Sequence, residues 1–216
     1  MTTLSYGIAT GTDDGYTGYT TDPNAPTLND LTSTTMIVGC IAPRGSLTRY
    51  DCGVRFQAVA LPNAQTLDSG FINIYLSSET GANQQADVYG DDIASCATFS
   101  ATAPNRPGIQ DCTETAAVLA IDGLTVTENK ELDVQAHVEE IVALGGWADG
   151  NDMRFSFQDS LNTAQSRYYQ FSALEHSTEA EAFLDIIYTP AAGGITNTNM
   201  VGSAGRMAGN GGGLAG

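Results

Sequence analysis

Residues 51–59 read Asp-Cys-Gly-Val-Arg-Phe-Gln-Ala-Val. Within this stretch the apolar side chains of Val54 and Phe56 alternate with the polar side chains of Arg55 and Gln57. Successive side chains of a β-strand point to opposite faces, so this alternation is typical of a strand with one buried face. The stretch therefore predicts a half-buried β-strand with its arginine and glutamine on the face opposite the valine and phenylalanine.

Further strand signals occur along the chain, either as alternation of apolar and polar residues or as runs of β-forming residues. They lie at residues 36–39, 71–77, 153–158, 167–174 and 182–188. Many short strands in one chain are typical of two packed antiparallel sheets. The predicted fold class is all-β, an antiparallel β-sandwich.

One segment has helical periodicity instead. Val138, Ile141 and Val142 repeat at the spacing of one helix face, and Asp133 before them is a favourable N-cap residue. A pair of glycines then ends the pattern. We predict one short helix at about residues 134–144, which closes one end of the sandwich.

The composition divides the chain into three parts. Residues 1–35 are rich in Thr, Asp, Gly, Asn and Pro, which indicates a loosely ordered, extended N-terminal arm with a short strand near residues 6–9. Residues 36–189 carry the sandwich. Residues 190–216 form a Gly-rich C-terminal tail without acidic residues, which cannot bury enough apolar area to fold alone.

Two interpretations of the tail are open: a disordered end, or a segment that becomes ordered on a partner subunit. Glycine lets two backbones approach closely, and small apolar anchors are spaced between the glycines of the tail. On the second interpretation the partner-docking residues are Ile195, Met200, Val201, Arg206, Met207 and Leu214.

The chain is strongly acidic, since its 216 residues include 25 Asp and Glu against 8 Lys and Arg, a formal net charge of −17. Such a surface neither neutralises a nucleic-acid backbone nor binds anionic lipid. The sequence contains no apolar run of about 18 residues that could span a membrane. Its N-terminus lacks the basic and apolar segments of a secretion signal. We expect no nucleic-acid partner, no membrane contact and an intact cytosolic product.

Four cysteines allow three disulfide pairings. Cys40 with Cys52 and Cys96 with Cys112 could each close a loop, whereas a reducing cytosol would keep all four as thiols. Buried or loop thiols are the favoured interpretation, and disulfides are the second. The spacings include no Cys-x-x-Cys, so no zinc site is expected.

Side chains suited to catalysis are scarce. His137 is predicted at the boundary of the helix's apolar face and His176 in a solvated loop, and neither accompanies a nucleophile motif. The carboxylates of Asp91–Asp92 and of Asp149 with Asp152 are typical of turns. We predict no catalytic residue and no metal-ligating residue.

Two ligand types stay open. Asp13 and Asp14 with Gly15 could contribute oxygens to a structural Ca²⁺, and no other cofactor is expected. A glycan is permitted, but Trp147 is predicted to cap the core and the tyrosines are too scattered along the chain to predict one stacking platform.

Residues 131–159 resemble a β-sandwich module of the DNRLRE or jelly-roll kind, found in bacterial surface proteins, carbohydrate-active enzymes and tailed-phage virion proteins. In that module a strand ending in Asp-Val leads into a Val-x-Glu-Ile-Val helix and a Gly-Trp-x-x-Gly-Asn turn. The similarity extends by pattern over residues 36–188 and implies a jelly-roll-like sandwich. The matching positions are Asp133, Val134, Val138, Glu140, Ile141, Val142, Gly146, Trp147, Gly150 and Asn151.

Together with the acidic charge and the predicted arms, the resemblance implies a non-enzymatic structural protein of a bacteriophage virion. Head decoration or cement, neck and tail accessory proteins all fit, assembled in the host cytoplasm. The expected partners are other virion proteins, contacted through the terminal arms, in a homo-oligomer or in many copies on the particle. The alternative is a carbohydrate-binding or host-attachment module.

Overall fold

A computed structural model describes residues 1–20, 22, 25–42, 47–81, 84–108, 113–124, 128–160 and 165–190. These residues form strands and a short helix. Their order is β1 (Thr2–Gly7), β2 (Asp14–Tyr19), β3 (Leu28–Asp30), β4 (Thr35–Ile41), β5 (Thr48–Val59), β6 (Ser69–Thr80), β7 (Gln85–Gly90), β8 (Leu119–Asp122), β9 (Glu128–Asp133), α1 (Gln135–Val142), β10 (Asn151–Asp159), β11 (Arg167–Ser172) and β12 (Phe183–Tyr188).

The strands pair antiparallel in the order β1-β12-β6-β11-β4-β5-β10-β7-β8. Two long strands organise this arrangement. β5 also pairs with β2, which carries β3 on its other side, and β6 also pairs with β9. The result is an all-β sandwich, as the sequence predicts.

The core lies between the two halves of the sandwich and is built from the alternating apolar residues. Phe56 of β5 and Phe155 of β10 are fully buried, with ring centroids 6.1 Å apart. Phe157 and Phe171 of β11 continue the same cluster at 5.5 Å. Their neighbours in sequence point to the other face, because side chains alternate along a strand.

The six predicted strands correspond to β4, β5, β6, β10, β11 and β12. Strands β2, β3, β7, β8 and β9 were not predicted. β9 reads Glu-Asn-Lys-Glu-Leu-Asp, with one apolar residue and no β-branched or aromatic residue. β2 contains Tyr16 and Tyr19, but these lie three positions apart and its other residues are Asp, Thr and Gly, so it shows no alternation of apolar and polar residues.

The predicted helix is present but shorter, at Gln135–Val142. Val134 occupies the N-cap position and makes no side-chain cap bond, whereas Asp133 Oδ1 accepts a hydrogen bond of 3.1 Å from the backbone of Gln135. After the helix the indole of Trp147 donates to the carbonyl oxygen of Leu61 at 2.8 Å and is 5% exposed. Trp147 therefore caps the core, as predicted.

The described residues of the predicted N-terminal arm contain the strands β1, β2 and β3, which pair with one another or with the sandwich instead of forming a loosely ordered arm. β1 pairs with β12 along all six of its residues, and β2 is buried at every position between β3 and β5. Asp14 fixes β2 from the other side, since its Oδ2 accepts a hydrogen bond of 2.7 Å from Leu174 N. Backbone pairing with distant strands, which periodicity does not reveal, incorporates this segment into the sandwich.

The segment between β7 and β8 is described except for residues 109–112 and covers the outer face of β5. Phe99 is 3% exposed, and Thr17 of β2 donates to the carbonyl oxygen of Pro107 at 2.9 Å. At Gly108 the backbone lies so close that an added Cβ would stand 2.3 Å from Cys52 N. Of the described residues between 98 and 115, residues 98, 101–104, 113 and 114 are exposed.

Candidate functional site

Two arginines lie directly opposite each other on β5 and β10. Arg55 pairs with Arg154 in the register, between core residues such as Val54 and Phe155. Both side chains therefore leave the sheet on the face that points away from the core. They are nevertheless 6% and 2% exposed, because residues 91–108 and the segment before β2 cover them.

Arg55 binds three partners on segments distant in sequence. One Nη atom donates to the carboxylate of Asp13, the other donates to Asp152 Oδ2 at 2.6 Å, and Nε donates to the carbonyl oxygen of Cys96 at 3.2 Å. Asp152 also accepts from the backbone of Ala58 at 2.7 Å. One guanidinium thus connects the N-terminal segment, β10 and the loop after β7.

Arg154 binds Asp91, the residue that follows β7. Its Nε donates to Asp91 Oδ2 at 2.8 Å, and Nη2 donates to the same oxygen. Phe99 covers the guanidinium from above, with 5.3 Å between the ring centroid and the central carbon, a distance suited to a cation–π contact. The Arg154 side chain therefore holds both ends of the stretch 91–99 on the sheet.

We refer to Arg55, Arg154, Asp13, Asp91 and Asp152 as the Arg–Asp cluster. Breaking a buried ion pair leaves an uncompensated charge and strongly destabilises a fold. All its members except Asp152 are at least 94% buried, and the arginines and carboxylates bind one another. The ion pairs of the cluster attach the covering segments to the sheet. Because the charged groups are buried and bind one another, little of their surface is accessible to a substrate.

Two further buried carboxyl groups bind backbone amides. Asp14 Oδ2 accepts from Leu174 N at 2.7 Å, and Asp51 Oδ1 accepts from Asp159 N at 2.9 Å. Burial raises the pKa of each to about 7. Perturbed pKa values often mark functional sites, but here each carboxyl group connects two chain segments, and each is 3% exposed or less.

The structure assigns specific roles to the acidic residues considered for calcium or turns. The Asp13 carboxylate accepts hydrogen bonds from the side chains of Arg55 and Gln57, and the Asp14 carboxyl group accepts one from Leu174 N. Protein donors therefore already bind both carboxyl groups. Asp91 and Asp152, predicted only as turn residues, are the partners of the two arginines. Within the described ranges no three His, Cys, Asp or Glu side chains form a group that could hold a metal ion.

The histidines differ in environment. His137 is 2% exposed and is buried rather than at the boundary of the helix face; its Nε2 lies 3.1 Å from the carbonyl oxygen of Val88, and burial lowers its pKa. His176 lies in a loop, where its Nδ1 accepts from Glu179 N at 3.0 Å. Neither has a nucleophile of the described chain as a hydrogen-bond partner.

Three cysteines are described, and all are buried thiols, which is the favoured interpretation. They are Cys40, Cys52 and Cys96, with 0–3% exposure. Cys112 lies outside the described residues, as do the predicted docking residues Ile195, Met200, Val201, Arg206, Met207 and Leu214.

Comparison with known proteins does not identify a family: no protein-family model matches the chain, and no match to a curated protein is found. The resemblance to the DNRLRE-like module therefore stays a prediction. In the part of the chain described, no helix has the length and apolar character needed to cross a membrane.

Proposed function

We propose that this chain is a non-enzymatic structural protein of a bacteriophage virion, a head decoration or cement protein or an accessory of the neck or tail. The observation that carries the proposal is the Arg–Asp cluster, in which charged groups that elsewhere bind substrates instead fasten loops to the sheet. A sandwich braced in this way is suited to act as a rigid spacer between assembling subunits.

The charge of the chain supports the same function. A formal net charge of −17 creates like-charge repulsion between copies wherever their acidic faces approach. Repulsion of this kind keeps crowded particles dispersed and restricts association to segments that lack acidic residues. Residues 190–216 are such a segment, with Arg206 as their single charged side chain.

We propose that the chain contacts the particle through one terminal segment rather than through two terminal arms. β1 and β2 pair with strands of the sandwich, and this pairing favours the tail over the N-terminal residues as the docking segment. The tail follows β12, whose last residue, Tyr188, pairs with Thr2 at the edge of the sheet. We assign docking to the tail, through its spaced apolar side chains.

A deletion of residues 193–216 tests this assignment. Particles are recovered on a density gradient from the host that produces them, and the copies of the chain per particle are counted by mass spectrometry. We expect the full chain at a fixed stoichiometry and the truncated chain to be absent from the particle. The melting temperatures of the two proteins should agree, because the last strand of the sandwich, β12, ends at Tyr188 and is retained.

A matched control separates the apolar anchors from tail length. In a full-length variant, Ile195, Met200, Val201, Met207 and Leu214 are all changed to serine, and this variant should also fail to incorporate. Full occupancy by the truncated chain would refute docking by the tail. Absence of the full-length chain from every particle fraction would refute the virion function itself.

A further inference from the structure

A groove of about 340 Å³ lies on the outer face of the layer formed by β9, β6, β12 and β1. This volume is near the lower limit of typical small-molecule sites. The groove lies on a different part of the sheet from the Arg–Asp cluster, and its lining includes Thr3, Phe71, Asn73, Glu131, Asp185 and Ile187.

The strand register explains why these side chains meet. Asn73 of β6 stands directly opposite Glu131 of β9, and Phe71 stands opposite Asp185 of β12. Ile72 and Leu184, next to them in sequence, are fully buried in the core. Because side chains alternate along each strand, the groove residues must point outward from the sandwich.

A fixed polar pair lies in the groove. Asn73 Nδ2 donates to Asp185 Oδ2 at 2.6 Å, which holds both side chains in one orientation. Two acceptors and one donor remain for a ligand: the second carboxylate oxygen of Asp185, the side-chain amide oxygen of Asn73 and the second N–H of that amide. Neighbouring hydroxyl groups of a ligand both donate and accept hydrogen bonds, and this set of atoms can serve both roles.

Apolar surface borders the polar pair. Phe71 and Ile187 are only partly buried, although both belong to the sheet. An aromatic ring that remains partly exposed beside hydrogen-bonding groups suits a ligand with an apolar face and polar edges. The C–H faces and hydroxyl edges of a pyranose ring have this character.

The charge of the groove opposes anionic ligands. Asp185 and Glu131 contribute carboxylates, and among the described lining residues none is basic. Lys130, the single lysine of the chain, pairs in register with inward-facing Ile74 and binds Glu128. A neutral ligand avoids both repulsion from these carboxylates and the cost of leaving a ligand charge unpaired.

We propose that this groove binds a neutral saccharide. Asn73 and Asp185 bind its hydroxyl groups, and Phe71 packs against a ring face. The groove is built from residues of β1, β6, β9 and β12, so the inference does not depend on the proposed role of the tail in assembly.

The test uses the full-length chain, labelled with ¹⁵N, and a panel of cello-, malto-, manno- and galacto-oligosaccharides. Titration with at least one of them should shift amide resonances of β6, β9, β12 and β1. Phe71→Ala and Asp185→Ala should each weaken that binding at least tenfold. Leu28→Ala is the matched control, because this apolar residue is 42% exposed on β3, outside the groove, and its loss should leave the affinity unchanged.

Asn73→Asp provides a second variant should either alanine variant fail to fold. It keeps the side-chain size but places two carboxylates side by side, so it should weaken saccharide binding while the far-UV circular dichroism stays native. Three results would overturn the proposal: no shift on this face with any saccharide, undiminished binding by folded Phe71→Ala, or binding here of a hexa-arginine peptide in place of saccharides. None of these results bears on incorporation into particles, which is measured separately.

Discussion

Arg55 and Arg154 occupy directly opposed positions on β5 and β10, and both guanidinium groups are buried on the face away from the apolar core. Like charges at opposed positions of an antiparallel pair repel each other. Here Asp13 and Asp152 compensate the first arginine, and Asp91 compensates the second. The polar face of these two strands is therefore also buried, and loops cover it rather than another sheet.

Replacing Arg154 by methionine should destabilise the fold by about 3–5 kcal/mol, because it leaves the Asp91 carboxylate buried without its cation. Urea denaturation followed by tryptophan fluorescence measures the change. Adding Asp91→Asn to Arg154→Met should recover part of the loss. Arg167→Ala is the control, since this arginine binds the exposed Gln165 and should cost less than about 1 kcal/mol. Equal stability of Arg154→Met and the control would contradict a structural role for the pair.

Gly108→Ala should detach the covering loop or destabilise the protein by at least ~2 kcal/mol. Its φ is +73°, and an added Cβ would collide with the backbone of Cys52 at 2.3 Å. Gly123→Ala measures the cost of the backbone conformation alone, because its φ is +56° and, its chain neighbours aside, no atom of the described residues lies within 4 Å of the added Cβ. This variant should cost about 1 kcal/mol. Thermal melting compares the two. Equal melting temperatures of the two variants would show that the close backbone contact at Gly108 does not contribute to stability.

Asp14→Asn should make the protein more stable at pH 8 and flatten the dependence of stability on pH. Burial raises the pKa of Asp14 from 3.8 to about 7, so between pH 4 and 7 the folded state binds more protons than the unfolded state. The stability that protonated Asp14 contributes is therefore complete near pH 4 and is lost as the pH rises to 7. Asparagine stays neutral and can still accept from Leu174 N. The gain is at most ~4 kcal/mol, since one pKa unit corresponds to about 1.4 kcal/mol.

Urea midpoints between pH 4 and 8 provide the measurement for Asp14→Asn. Asp149→Asn is the matched control, because it removes one negative charge from an exposed turn. If the dependence of the urea midpoint on pH becomes weaker by the same amount in both variants, net charge and not the buried carboxyl group causes the change in stability.

Cys40, Cys52 and Cys96 should resist alkylation in the native protein and react only after unfolding. The thiolate is the reactive form, and burial both blocks access and raises the pKa of each thiol. Iodoacetamide treatment with and without urea, followed by peptide mass spectrometry, gives the extent of modification at each residue. A Cys40–Cys52 peptide pair released only by a reductant would show instead that these two form a disulfide.

The predicted strands share one property, apolar side chains that recur at every second position, as at Val54 and Phe56. β2 lacks it, although it is buried at all six positions and pairs with both β3 and β5. At Gly15 an added Cβ would stand 2.5 Å from the carbonyl oxygen of Asp30, so the strand has glycine there. Its burial depends on its neighbours rather than on its own hydrophobicity. The helix was recognisable because the contacts of one helix face repeat within a few residues.

Local periodicity in the amino-acid sequence was thus sufficient for the all-β class, six strands and the helix, since each depends on residues a few positions apart. It also placed Arg55 on the polar face of its strand. Only the tertiary structure decided that this arginine is buried, that Asp13 and Asp152 are its partners, and that Asn73 meets Asp185. These partners are separated by 42, 97 and 112 residues. Contacts at such separations are set by strand order and register, which arise when the whole core packs.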